Sequence, residues 1–78
     1  MAAYLAQITV SDVLDDEARA GMADALHAQD SYAIAERGVT FVVLGEAPDL
    51  AVASAAAHQH AAEILDGFTY EVDVTEVP

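Results

Sequence analysis

The chain contains no cysteine, no lysine and no tryptophan. Without cysteine, neither a disulfide nor a thiolate metal site can reinforce a small core. Without lysine, the fixed positive charges are Arg19 and Arg37 alone, set against 14 Asp and Glu, for a formal charge of -12 over 78 residues. A nucleic-acid backbone is held by several basic side chains that displace condensed counterions. Two arginines on so acidic a chain exclude direct nucleic-acid binding, and they exclude anionic membranes for the same reason. Long apolar runs are missing as well, since no window approaches the ~20 residues of a membrane span. Met1 to Val10 alternates in polarity and carries no basic residue, unlike an export signal. These absences predict a cytoplasmic protein. Glycine is sparse, at positions 21, 38, 45 and 67. No phosphate-cradling spacing appears among them, so nucleotide binding has no support and no cofactor is expected.

What is present is apolar but small. The hydrophobic fraction is 55%, yet 18 of those residues are alanine. A single domain spanning residues 1–78 buries only a little over ~60% of the surface its unfolded chain exposes. Filled largely with alanine, such a core is thin for a monomer, and self-association is the remaining way to stabilise it. A homodimer is therefore expected. The acidity admits three readings: a salt-adapted surface, a nucleic-acid mimic aimed at a basic protein, or the coding bias of a GC-rich genome. Absent lysine and abundant alanine fit the third most simply. A mimic calls for a denser, two-rowed array of carboxylates than this sequence shows.

Hydropathy patterning divides the chain into six elements. Tyr4 to Val10 alternates, with Ala6, Ile8 and Val10 on one face and Leu5, Gln7 and Thr9 on the other, as a strand does. Ser11-Asp12 then reads as a capping pair for a helix from about Asp12 to Ala28, with Leu14, Ala18, Met22, Ala25 and Leu26 on its inner side. Asp15, Asp16 and Glu17 fall in its first turn, and Asp15 is spaced to pair with Arg19. Tyr32 to Glu36 reads as a short strand, with Arg37-Gly38 turning into a third strand, Val39 to Gly45. Pro48 suits the first position of a second helix, whose inner side is Leu50, Ala53, Ala57, Ala61, Ile64 and Leu65 and which Asp66-Gly67 closes. Phe68 to Thr75 alternates as a last strand, with Glu71 and Asp73 on its wet side.

This order, β-α-β-β-α-β, predicts an α+β fold of the ferredoxin-like sandwich type, a four-stranded antiparallel sheet with two helices on one face. The first and third strands occupy the centre. The opposite face is then uncovered, and because strand neighbours point to opposite sides, Val42 and Leu44 look outward when Val39, Phe41 and Val43 pack inward. Leu5, Gln7 and Thr40 join them, with Glu71 and Asp73 along the rim. An apolar centre within a polar border is the composition of a contact surface. An edge-to-edge assembly through Phe68 to Val74 is the alternative contact.

Residues that could carry chemistry do not converge. His58 and His60, two apart on a helix, point in opposing directions. His60 and Glu63 share a face and are the better candidate metal pair, with His27 able to approach from the first helix, while Asp12, Asp15 and Asp16 lack the glycine-centred loop of a specific hard-cation site. Zinc requires three or four ligands. Ser54 and His58 are one turn apart, but no strand-to-helix elbow presents the serine, and the Ala-rich stretch from Ser54 to Ala57 reads as a close-packing face. No catalytic residue is assigned. The expectation is a non-enzymatic interaction module that self-associates through its sheet. Two other readings stand beside it: an acidic inhibitor or decoy of a basic protein, such as an accessory protein of a mobile genetic element, and a small-ligand or enzyme domain whose pocket forms at a dimer interface.

Overall fold

A computed structural model describes residues 2–34 and 38–77. Its elements are β1 (Ala2–Val10), α1 (Asp16–Leu26), β2 (Asp30–Ile34), β3 (Gly38–Ala47), α2 (Leu50–Ile64) and β4 (Tyr70–Glu76). The four strands form one antiparallel sheet in the order β2-β3-β1-β4, so β1 and β3 lie in the centre. The α+β element order and this sheet are consistent with a ferredoxin-like fold.

The alternation in β1 sets the two sides of the sheet. Ile8 pairs with Phe41 on β3 and with Val72 on β4, which places even-numbered β1 residues beside odd-numbered β3 residues. On that side Ile8, Val10, Val39 and Phe41 are buried together with Leu26 of α1 and with Ala61 and Leu65 from the end of α2. Both helices thus contribute to one core. A smaller cluster, Tyr4, Ala47 and Ala53, lies where β1 begins and β3 ends.

The element boundaries differ from expectation where a local hydrogen bond wins. Helix α1 starts later than Asp12, because Asp15 is the cap and its carboxylate accepts from the Ala18 N–H at 2.7 Å. Asp12 instead accepts from the adjacent Val13 N–H, and the Ser11 N–H donates to the Thr69 carbonyl, which draws Ser11 toward the sheet. With the Asp15 carboxylate committed to the cap, Arg19 reaches across to β2. Its Nε donates to Ser31 Oγ at 3.0 Å and its Nη2 to the Ser31 carbonyl at 2.6 Å, so the expected Asp15–Arg19 pair is not made. The helix ends at Leu26 because His27 adopts a left-handed φ of 58°, and the Ala28 N–H returns to the Ala23 carbonyl. This is the usual way a helix satisfies its last carbonyls. Leu14 and Met22 pack against the core as expected, whereas Ala18 and Ala25, also expected inside, are exposed and Ala23 packs inward instead.

Strand β2 begins at Asp30, two residues before Tyr32, following the Gln29 N–H bond to the Val42 carbonyl. The expected end at Glu36 and the turn residue Arg37 lie outside the described residues. Gly38 belongs to β3 and is opposite Ile34. A Cβ there would overlap the Val10 carbonyl, so only glycine permits this approach. Asp49, not Pro48, opens α2, by accepting from the Val52 N–H at 2.9 Å. Leu50, expected inside, is exposed. Phe68 also stands outside the strand it was expected to begin. Its N–H bonds to the Leu65 carbonyl in the turn where Gly67 takes a φ of 89°, and β4 starts at Tyr70.

Candidate functional site: the second face of the sheet

The register carries one set of side chains to the side opposite the helices. Leu5 pairs with Leu44 and Thr75, Gln7 with Val42 and Asp73, and Thr9 with Thr40 and Glu71. The seven residues expected to form a contact, Leu5, Gln7, Thr40, Val42, Leu44, Glu71 and Asp73, therefore share one face. Their accessibility is uneven. Leu44 is 50% exposed and Glu71 and Asp73 are exposed, while Leu5 and Gln7 are half-buried.

Val42 and Thr40, expected to be open, are buried at 9% and 2% exposure. Each sits between two cross-strand neighbours, Val42 between Gln7 and Asp30, and Thr40 between Thr9 and Tyr32. The Thr9 and Thr40 hydroxyls are 3.0 Å apart, so this row is tied within the sheet. The apolar surface that does remain includes two residues missed in the sequence reading. Tyr32 and Ile34, on β2, are 44% and 37% exposed, and pairing of Tyr32 with Thr40 places them on this same face. The alternation of Tyr32 and Ile34 is masked by the apolar Ala33 between them, which leaves the two sides of this strand alike in hydropathy.

The result is a face of mixed chemistry, with the exposed carboxylates of Asp30 on β2 and Glu46 on β3 among its apolar residues. From β2 across β3 to β1 run Ile34, Tyr32, Leu44 and Leu5 around the buried Thr40 and Val42. Along the β4 side stand Glu71, Asp73 and Thr75. A recess bounded by Gln7, Thr9, His58, Tyr70, Glu71, Val72 and Asp73 wraps around the β4 edge. Its lining mixes residues from both sides of the sheet, as an open strand edge does, so it encloses no site.

The histidines lie elsewhere. His60 Nε2 is 2.9 Å from the Leu26 carbonyl and donates its hydrogen there. The His27 and His60 rings stack 14° from parallel with centroids 6.3 Å apart. His27 thus does approach from α1, as a stacking partner for His60. Among the described residues no three His, Cys, Asp or Glu side chains gather where they could hold one metal ion, and His60 and Glu63 acquire no third ligand. No described helix is long and apolar enough to cross a membrane. Compared with family models, with curated proteins and with solved structures, the chain matches none.

Proposed function

We propose that this chain is a non-enzymatic interaction module, a ferredoxin-like βαββαβ sandwich that pairs with a second copy of itself through the open face of its sheet. The observation that supports this reading is the exposed apolar set Leu44, Tyr32 and Ile34 on that face, with Glu71 and Asp73 set apart on β4 and two further carboxylates, Asp30 and Glu46, at Val42's flank on β2 and the far end of β3. A two-fold axis along β3 stacks β2, β3 and β1 of one copy on β1, β3 and β2 of the other. Strand β4 then overhangs by about one strand spacing, ~4.8 Å, and keeps Glu71 and Asp73 in water. The apolar residues meet, while Asp30 on β2 and Glu46 on β3 stay within the stacked strands and weaken the pairing.

Three strands present roughly 15 by 25 Å, about 750 Å² over the two copies, which is below the about 1,200 Å² at which stable interfaces begin and in the range of weak, transient ones. A reversible dimer follows. Light scattering after size exclusion, at low salt and at 1 M salt, tests the proposal. A dimer unchanged or strengthened by salt supports it, because apolar burial is not screened. A monomer at all concentrations that captures basic proteins only at low salt would replace it with the acidic-decoy reading.

A further inference from the structure

The side of the sheet facing the helices is filled unevenly. Around Phe41 the gap between helix and sheet is closed by Ile8, Leu26 and Leu65. Under the first half of α2, the inward positions are instead Ala53, Ala56, Ala57 and His60, over a floor of Tyr4, Ala6, Val43, Gly45 and Val74, with Glu46 at the margin. Helix α1 has 11 residues and ends where Gln29 meets Val42, so it does not cover this end of the sheet. A helix needs large side chains to fill its distance from a sheet, and alanine and glycine do not supply them. A cleft of about 160 Å³ remains. Of the stretch Ser54 to Ala57, read from sequence as a close-packing face, Ala56 and Ala57 line this hollow.

Among the described residues, the fixed charges near it are carboxylates. Tyr4 pairs with Glu76 across the β1–β4 ladder, and Asp49 caps the end of α2 nearest the cleft. Burial, then Glu76, then Asp49 push the Tyr4 phenol above its usual range, so both carboxylates act at this spot. The start of α2 offers no welcome to an anion, because Asp49 already occupies it. Among the described residues no Lys or Arg lines the cleft, and the Arg19 guanidinium is held on Ser31.

We propose that this cleft binds a small apolar molecule carrying one positive charge, an aliphatic or aryl amine of about the bulk of benzylamine. An apolar cavity of about 150 Å³ holds a benzene ring, which matches the body of such a ligand. The ammonium group would lie toward Tyr4, Glu76 and Asp49. This site lies on the opposite side of the sheet from the dimer face, so the two assignments stand or fall separately.

The test is an amide NMR titration of the full chain at low salt with benzylamine, benzyl alcohol and benzoate, which share a ring and differ in charge. Benzylamine is expected to shift Gly45, Ala57 and Val74 saturably and to bind roughly two- to fivefold tighter than benzyl alcohol, the range of one exposed ion pair. Benzoate is expected not to saturate. Glu76→Gln should narrow the ratio of amine to alcohol, and Ala57→Leu should abolish binding of both by filling the hollow. If Ala57→Leu disturbs the folded spectrum, Ala56→Leu, at a more exposed position, makes the same test. Unsaturable shifts scattered over the acidic surface, benzoate binding as well as benzylamine, no preference for the amine over the alcohol, or unaltered binding to a folded leucine variant would each overturn the proposal.

Discussion

Leu44→Asp is the sharpest perturbation of the proposed dimer. Leu44 is 50% exposed in the isolated chain, so about half of the ~1.5–3 kcal/mol available from burying a leucine remains to be gained at the contact. Losing that gain costs about 1 kcal/mol per copy, and desolvating an aspartate there adds at least ~1 kcal/mol more. The two-fold axis counts the site twice. The total, about 4 kcal/mol, corresponds to a dissociation constant raised roughly a thousandfold. In the monomer the same change touches only a half-exposed strand position, where substitutions span ~1 kcal/mol. Sedimentation velocity across a concentration series reads the association, and circular dichroism checks the fold. Leu44→Lys is the control for net charge: it makes the chain less negative, yet it also desolvates a charge and must dissociate the dimer too. A dimer that survives both variants refutes the face-to-face contact and moves attention to the β4 edge. Val42 is a poor probe of the same idea, since its burial within the monomer confounds contact with folding.

Four further outcomes follow from the fold. Gly38→Ala should lower stability by about 2 kcal/mol or more, read as a reduced urea midpoint, because its Cβ meets the Val10 carbonyl. Asp15→Ala should cost ~1 kcal/mol by removing the cap of α1, while Asp12→Ala stays within ~0.5 kcal/mol; equal effects in thermal melts would contradict the capping assignment. Arg19→Met retains most of the side-chain stem but loses both bonds to Ser31, and a loss of about 1–3 kcal/mol in urea unfolding is expected. The Tyr4 phenol titrates above the usual tyrosine range. The folded state therefore holds that proton more tightly than the unfolded chain, and the stability this represents is present below the unfolded value near 10 and lost as pH rises through the higher folded one. Ultraviolet titration checks the order of ionisation, and Glu76→Gln should bring Tyr4 partway back.

Strand alternation and helical spacing in the sequence were enough to order the six elements and to assign Ile8, Val10, Val39 and Phe41 to the helix side. These signals are collective, spread over many residues, and survive errors at any one. The boundaries were not legible, because they depend on single hydrogen bonds among competing donors and acceptors. Four carboxylates precede or begin α1, and nothing in their order shows that Asp15 caps while Asp12 merely folds back on Val13. The open face was partly legible. Its membership follows from parity, but the burial of Val42 and Thr40 depends on β2 lying alongside with Tyr32 and Asp30, and β2 was placed two residues late. The cleft was hidden for a different reason: a run of alanines on a helix looks the same whether the neighbouring layer closes on it or stands away.

The unequal filling of the two ends of the sheet bears on how the molecule breathes. Phe41 and its neighbours form the part of the structure that should give way only when everything does. The opposite end, where β1 begins and β3 finishes, has few large side chains to lock it, so its amide protons should exchange through small local openings well before global unfolding. Anything that settles between α2 and the sheet there would act as a missing piece of core and slow that exchange.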